Sequence, residues 1–291
     1  MLYTLENSEI KVVFSDKGGE MQSIVNKSNG LEYLWQGNAQ YWAGRAYNLF
    51  PICGRLTEGK YTYRGKEYEM NLHGFLRDSI VALSEKTENS LTFVLSSNDV
   101  TYAQYPFNFI FKLKYTVEGK RITTSFNVTN IGEETMYYGV GGHPGFNVPL
   151  NDGEKYEDYY LEFDCVKPME RLIMTPLFNT GRTEPYPMTD GKIIELSHDL
   201  FSDDARFFTN MCKKVTLKSK KSDCFVRLEY PDMVNLGIWH KPQTDAPYIC
   251  IEPWSTLPSY DGIVDDLETK YEMTVLKPLE SKTSGFDIII G

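Results

Sequence analysis

The chain carries four histidines, and two of them stand in stiff, glycine- and proline-flanked contexts. His73 lies in Asn71-Leu-His-Gly-Phe75, and His143 lies in Gly141-Gly-His-Pro-Gly-Phe146. Imidazole is the side chain most easily set to exchange a proton near neutrality. Loops held by a rigid scaffold are also where binding and catalytic groups concentrate. His240 follows Trp239 in Leu236-Gly-Ile-Trp-His-Lys-Pro242 and is a candidate for binding, whereas His198, in the polar stretch Glu195-Leu-Ser-His-Asp-Leu200, reads as a surface residue. A lone histidine is more often structural than catalytic, so each needs a chemical partner.

The most informative carboxylate is Glu252, in Tyr248-Ile-Cys-Ile-Glu-Pro-Trp254. In a strand, Tyr248, Cys250 and Glu252 share one face, while Ile249 and Ile251 take the other. A single ionisable group then stands at the end of an almost apolar strand, with Pro253 expected to end the ladder. Partial desolvation would lift its pKa toward the working pH, as a general base requires. The bland alternative is a strand-end glutamate paired with a surface lysine. Arg55, in Phe50-Pro-Ile-Cys-Gly-Arg-Leu56, offers a planar fork of donors for sugar hydroxyls or a carboxylate. An ordinary surface ion pair is its plainer reading. The 20 Tyr and 4 Trp suit a sugar site, where ring faces stack and polar edges bond, although most rings belong to the core. No His-Glu-x-x-His, no close Cys/His set and no carboxylate at a matching offset is present, so neither metal nor cofactor is expected.

The elements that must position these groups are strands. Phe109, Phe111, Leu113 and Tyr115 alternate with Ile110, Lys112 and Lys114, and Ile10, Val12 and Phe14 alternate likewise. Further runs are Leu91–Leu95, Tyr159–Phe163, Val215–Leu217, Phe225–Tyr230, Tyr271–Leu276 and Phe286–Ile290. Short β-branched and aromatic runs between turn residues predict an all-β sandwich or barrel. Tyr61–Tyr68 reads as a hairpin around Arg64-Gly65. The best helix candidates, Val100–Tyr105 and Leu200–Phe208, are short, and nothing resembles a linker or a repeat. Residues 1–291 are expected to form one domain.

At 41% hydrophobic and 24% charged residues, the composition is that of an ordinary globular chain. A net charge of −10 without a basic tract argues against a nucleic-acid partner. No apolar run reaches the roughly 18 residues of a membrane span, and the N-terminus lacks a signal-peptide pattern. Five cysteines without a Cys-x-x-Cys pair (53, 165, 212, 224 and 250) do not form a disulfide framework and suit a reducing compartment. A cytoplasmic location is therefore expected. The sequence does not set the oligomeric state.

Four motifs occur in order: Asn48-Leu-Phe-Pro-Ile-Cys-Gly-Arg55-Leu, His73-Gly-Phe-Leu-Arg77-Asp78, Gly-Gly-His143-Pro-Gly-Phe146 and Cys250-Ile-Glu252-Pro-Trp254. With the opening Gly18-Gly-Glu-Met-Gln-Ser-Ile24 and Glu32-Tyr-Leu-Trp35-Gln, they span nearly the whole chain. Together they resemble the aldose 1-epimerase (galactose mutarotase) family, in a divergent LacX-like branch. The resemblance implies a large twisted antiparallel β-sandwich, a supersandwich, with a sugar site on its concave face. It implies Glu252 as the general base for the C1 hydroxyl and His143 as the general acid for the ring oxygen. His73 and Arg55 would bond the sugar oxygens near C1, with Arg77 beside them. No metal or cofactor is implied. Interconverting the anomers of a hexose opens and recloses a hemiacetal, for which an acid and a base on opposite sides of the ring are expected.

The sequence departs from the family pattern in lacking the Asp-His-Asn motif whose aspartate grips sugar hydroxyls, and Gly142 precedes His143. Trp239, His240 or Asp245 are the candidates to replace that grip. Alternative readings remain. A hexose-6-phosphate epimerase would need a phosphate clamp, for which Arg77 is available. A non-catalytic carbohydrate-binding or regulatory module would keep the scaffold alone. A glycoside hydrolase is disfavoured, because it would need a second carboxylate about 5–10 Å from Glu252.

Overall fold

Alternating apolar residues build two large antiparallel sheets in the computed structural model, which describes residues 1–164, 169–210 and 212–291. In the strand Phe109–Glu118 every odd-numbered residue is buried, and it turns through Gly119-Lys120 into its partner Arg121–Asn130. These two are central strands of a nine-stranded sheet. From one edge its order is Ile193–Glu195, Tyr159–Phe163, Lys214–Ser219, Phe225–Glu229, Ser281–Ile290, Arg121–Asn130, Phe109–Glu118, Ser90–Ser96 and Ala82–Lys86.

The second sheet has seven strands, in the order Asn179–Tyr186, Met169–Met174, Arg206–Thr209, Asn235–Trp239, Tyr248–Trp254, Gly141–Asn147 and Ala46–Leu49. Ile249 and Ile251 from this sheet share one apolar core with Phe126, Phe286 and Ile288 from the other. Sandwich packing of this kind buries the inner faces of both sheets. The opposite face of the seven-stranded sheet is covered too. There Cys250 packs with Trp35, Ala246 and Tyr248, and Trp254 packs with Leu49, Cys53, Phe207 and Leu257. This second face carries the chemistry-bearing residues.

The hairpin at Tyr61–Tyr68 is present, with Arg64 and Gly65 both at positive φ in a two-residue turn. The helix near residue 100 runs Asp99–Gln104, and Asn98 caps it by accepting from the Val100 and Thr101 amides. The helix expected over Leu200–Phe208 does not form. A single 3₁₀ turn covers His198–Phe201, and Arg206–Thr209 joins the sheet, where Phe207 and Phe208 find a buried surface. The run Tyr271–Leu276 is strand only over Thr274–Leu276.

Pro253 does not end its strand, which runs on to Trp254. On one side Pro253 stays paired with Leu236. On the other side the ladder to Gly141–Asn147 holds at Gly141–Trp254 and Gly145–Cys250 and opens between them, where Pro144 and Pro253 lack N–H donors. Cys53, Cys224 and Cys250 are free thiols, while Cys212 is disulfide-bonded and Cys165 lies outside the described residues. The expectation of unbridged cysteines is corrected for Cys212, since pairing depends on closeness in space and not on sequence spacing. Among the described residues, no helix is long and apolar enough to cross a membrane.

Candidate active site

The opened stretch of ladder places His143 opposite Glu252, because equal numbers of residues separate the flanking pairs on the two strands. Two glycines make this approach possible. A Cβ on Gly141 would lie 2.7 Å from the Trp254 ring and 3.1 Å from Cys53 Sγ, and one on Gly142 would lie 2.4 Å from the Phe286 ring across the core. Only hydrogen at both positions lets the strand sit this deep. The Trp254 indole donates to the Gly142 carbonyl at 3.2 Å and ties the two strands together beside the gap. Gly237 pairs with Glu252 on the other side and leaves room beside its side chain.

His143 Nε2 lies 3.2 Å from Glu252 Oε2, and both residues are buried, at 7% and 2% exposure. Burial pushes the Glu252 carboxyl well above its ordinary range, with the Asp204 charge adding to the effect. Burial likewise lowers the His143 imidazole to about 3. Both shifts disfavour charge, so in the empty site the pair shares one proton, held mainly by Glu252 and donated to Nε2. The other ring nitrogen, Nδ1, is buried without a hydrogen-bond partner among the described residues. The ring is instead held by stacking on Trp42, with centroids 4.8 Å apart and planes inclined by 27°. The two side chains thus stand side by side.

His73 reaches the site from a loop in which it takes the left-handed conformation, with φ 65°. Next to it, Gly74 has φ 75°, and a Cβ there would lie 2.2 Å from the Phe50 carbonyl oxygen, so the turn requires glycine. The Gly54 amide donates to His73 Nδ1 at 3.0 Å. A nitrogen that accepts is unprotonated, so the neutral ring carries its proton on Nε2. Burial, aided by His143, Arg77 and Arg55, holds the His73 pKa well below its usual value and keeps it in this form. His73 is therefore a fixed neutral donor whose ring stands edge-on to His143, 5.4 Å between centroids.

These groups line a cavity of about 290 Å³ together with Arg55, Arg77, Trp239 and Trp254. This is close to the lower end of the range for small-molecule sites, roughly 300–1,000 Å³. Trp42, Tyr47, Trp239 and Trp254 give it aromatic walls. Arg77 lies over the Tyr47 ring, 5.4 Å from its centroid, and also reaches Asp78 at 3.4 Å. Arg55 is exposed and makes no ion pair with any described residue. Six of the eight site candidates from the sequence thus converge: Arg55, His73, Arg77, His143, Trp239 and Glu252.

His240 does not. Its side chain is fully buried away from the cavity, where it meets His198 at 3.2 Å and packs on Phe201 and Tyr156. His198 stacks on Tyr156, so it is not a free surface residue. Asp245 is also elsewhere, accepting from the Tyr41 hydroxyl. Besides Glu252, the carboxylates that line the cavity are Asp203 and Asp204, which the sequence reading missed. Asp204 has φ 90° and accepts from the Trp239 indole at 2.8 Å. A non-glycine residue in that region is strained and held there by its surroundings. The only sequence signal is two adjacent carboxylates just before an aromatic strand.

The family model described as aldose 1-epimerase matches residues 1–262. The protein LacX, plasmid, from Lactococcus lactis subsp. lactis is 38% identical over 300 residues, covering 100% of this chain and 99% of its own. A crystal structure of a galactose mutarotase related enzyme from Lactobacillus acidophilus superposes with a TM-score of 0.96 at 38% identity, covering 100% of this chain and 97% of that one. A galactose mutarotase-like protein from Lactobacillus casei gives 0.95 at 31% identity, with 100% of both chains covered. The buried histidine–glutamate pair, the sandwich that holds it and these similarities lead to one assignment: the chain belongs to the aldose 1-epimerase family.

Proposed function

We propose that this protein is a mutarotase, interconverting the α and β anomers of a hexose with Glu252 as general base and His143 as general acid. The observation that carries the reading is the buried contact of 3.2 Å between these two side chains on the floor of an open, aromatic-walled cavity. O1 and O5 of a pyranose are both bonded to C1, so an acid and a base standing side by side suit both oxygens.

Sugar hydroxyls that donate to Glu252 favour its carboxylate form and shift the shared proton to His143. Glu252 then takes the proton of the C1 hydroxyl while His143 protonates O5, and the C1–O5 bond breaks to give the open aldehyde. Glu252 is now neutral and His143 has lost its proton. After rotation about C1–C2, O5 attacks the other face of C1. His143 recovers the O5 proton, Glu252 returns its proton to O1, and the enzyme is regenerated. His73 Nε2–H and Arg55 are the donors for oxygens near C1, and Asp204 takes the place of the missing family aspartate in gripping hydroxyls farther round the ring.

Arg55, which has no ion-pair partner among the described residues, favours a second reading in which the sugar carries a phosphate. Asp203, Asp204 and Glu252 in the same cavity oppose it. Polarimetry on freshly dissolved glucose, galactose and glucose 6-phosphate, with the Glu252→Gln protein as control, tests both. Acceleration of neutral hexoses is expected. A large preference for the phosphorylated sugar would replace the substrate, and no acceleration of any sugar would leave a binding module.

A further inference from the structure

Close spacing along the sequence gave no metal-ligand set, yet the fold assembles one from two strands. Cys250 and Glu252 project from the same face of Tyr248–Trp254, and His143 comes from the neighbouring strand. One ligand atom from each lies within 4.8 Å of the other two, and all three residues are buried. We propose that His143, Cys250 and Glu252 form a binding site for zinc(II), and that zinc bound there shuts down the sugar site.

The donor set fits the ion. Zinc takes thiolate sulfur at about 2.3 Å and imidazole nitrogen or carboxylate oxygen at about 2.0–2.2 Å, in a tetrahedron. Those bond lengths put ligand atoms roughly 3.3–3.7 Å apart. The His143–Glu252 separation of 3.2 Å is already close to this, and no ligand atom of the three is more than 4.8 Å from another. Three protein ligands leave a fourth position for water or another ligand, and two of the three, His143 and Glu252, line the cavity. Charge also balances: neutral imidazole, one thiolate and one carboxylate match a dication, and binding releases the Cys250 thiol proton to solvent. A hard cation such as magnesium lacks affinity for the sulfur and demands octahedral oxygen ligands, so the site discriminates against it.

The glycines make the chamber possible. Gly145 is paired with Cys250 and Gly237 with Glu252, so each of these two ligands has glycine on one side, while Trp239 pairs with Cys250 on the other and walls the site. A Cβ on Gly145 would come within 3.0 Å of the Trp42 ring that stacks on His143. Cys250 has no role in the proton transfers. Inhibition by zinc rests on the mutarotase reading, since it follows from occupying the acid and the base, whereas binding itself does not.

The test uses the full-length protein and zinc alone, titrated in competition with a chromophoric zinc indicator. One zinc per chain is expected in the wild type, weakened at least about tenfold in Cys250→Ala, because even residues that only orient a ligand change metal affinity by about 10–100-fold. Cys224→Ala, which removes a thiol outside the cluster, should bind as the wild type does. Cobalt(II) substituted for zinc should give thiolate-to-cobalt absorption in the near ultraviolet, lost in Cys250→Ala, and this readout on the wild type holds even if that variant folds poorly. Mutarotation should fall on adding one equivalent of zinc, recover with a chelator, and resist the same zinc in Cys250→Ala. Equal zinc affinity in wild type and Cys250→Ala, absence of zinc binding, or a cobalt spectrum without the sulfur band would each overturn the proposal. If no sugar is turned over, the mutarotase reading fails by itself and the binding and cobalt measurements still decide the site.

Discussion

Replacing Glu252 with glutamine should separate catalysis from stability in a single protein. The substitution keeps size and shape, and the amide nitrogen can donate to His143 Nε2 as the protonated carboxyl does across the present 3.2 Å contact. Nothing in the fold has to move. What disappears is the capacity to accept the C1 hydroxyl proton. General acid–base assistance is typically worth 10²–10⁴-fold per group, about 2.7–5.4 kcal/mol of barrier. Catalysed mutarotation, followed by polarimetry after correction for the spontaneous rate, should therefore fall by that factor.

Stability should move the other way. Glu252 is 2% exposed, and burial raises its pKa well above the ordinary carboxylate value of 4.5. A carboxyl whose pKa is raised in the folded state lets the unfolded chain release a proton first as pH climbs, so it destabilises the fold above the unfolded pKa. That penalty is absent below about pH 4.5 and grows until the folded carboxyl ionises. Glutamine has no such penalty. Denaturant unfolding at neutral pH should find Glu252→Gln at least as stable as the wild type, with the difference closing as pH falls below the unfolded carboxylate range. A mutarotation rate within about threefold of wild type would refute Glu252 as the base. A variant less stable than wild type at neutral pH by more than about 1 kcal/mol would refute the burial argument.

Asp204→Asn keeps an oxygen able to accept from the Trp239 indole and removes only the charge. Charged acceptors bond about twice as strongly as neutral ones, so KM should rise by about tenfold with kcat nearly unchanged in polarimetric kinetics, and an unaltered KM would remove Asp204 from the sugar grip. Gly142→Ala puts a methyl 2.4 Å from the Phe286 ring and should destabilise by about 1–3 kcal/mol in denaturant unfolding, partly relieved by adding Phe286→Leu. His240→Phe, at a residue buried among Phe201, Tyr156 and His198, should leave kcat/KM within about twofold, and a larger loss would return His240 to the site.

Much of the sandwich was legible in the sequence because strand alternation is a local property. The five buried odd-numbered positions of Phe109–Glu118 are apolar or aromatic in the chain itself. Where both faces are covered, alternation fades. Arg206–Thr209 carries adjacent buried phenylalanines, and in Leu200–Phe208 that run suggested a helix until the sheet supplied a partner on each side. The same period-2 rule, applied to the site, separates His240 from Trp239, which the sequence analysis keeps together as candidates. Neighbours in a strand point to opposite faces, so with Trp239 on the cavity wall, the residue after it belongs on the other side. Asp204 had no such handle. It reaches the cavity from a loop through a left-handed residue, and loop geometry of that kind is set by what surrounds it.

The contact between His143 and Glu252 follows from residues that are usually taken only as strand breakers. Pro144 and Pro253 each remove a donor at the same stretch of one interstrand ladder, and the pairs on either side keep the register across the gap. Without them, ladder hydrogen bonds would close over the positions of His143 and Glu252. Without Gly141 and Gly142, the Trp254 and Phe286 rings would hold that strand away from its neighbour. Pairing with Asn235–Trp239 on one side and Ala46–Leu49 on the other keeps the opened strands in the sheet. The result is a buried imidazole and carboxyl facing each other at 3.2 Å, held by a rigid scaffold. That environment favours the neutral pair when the site is empty. It also makes the proton's position sensitive to any hydroxyl that enters, the property on which the proposed opening and reclosing of a hemiacetal depends.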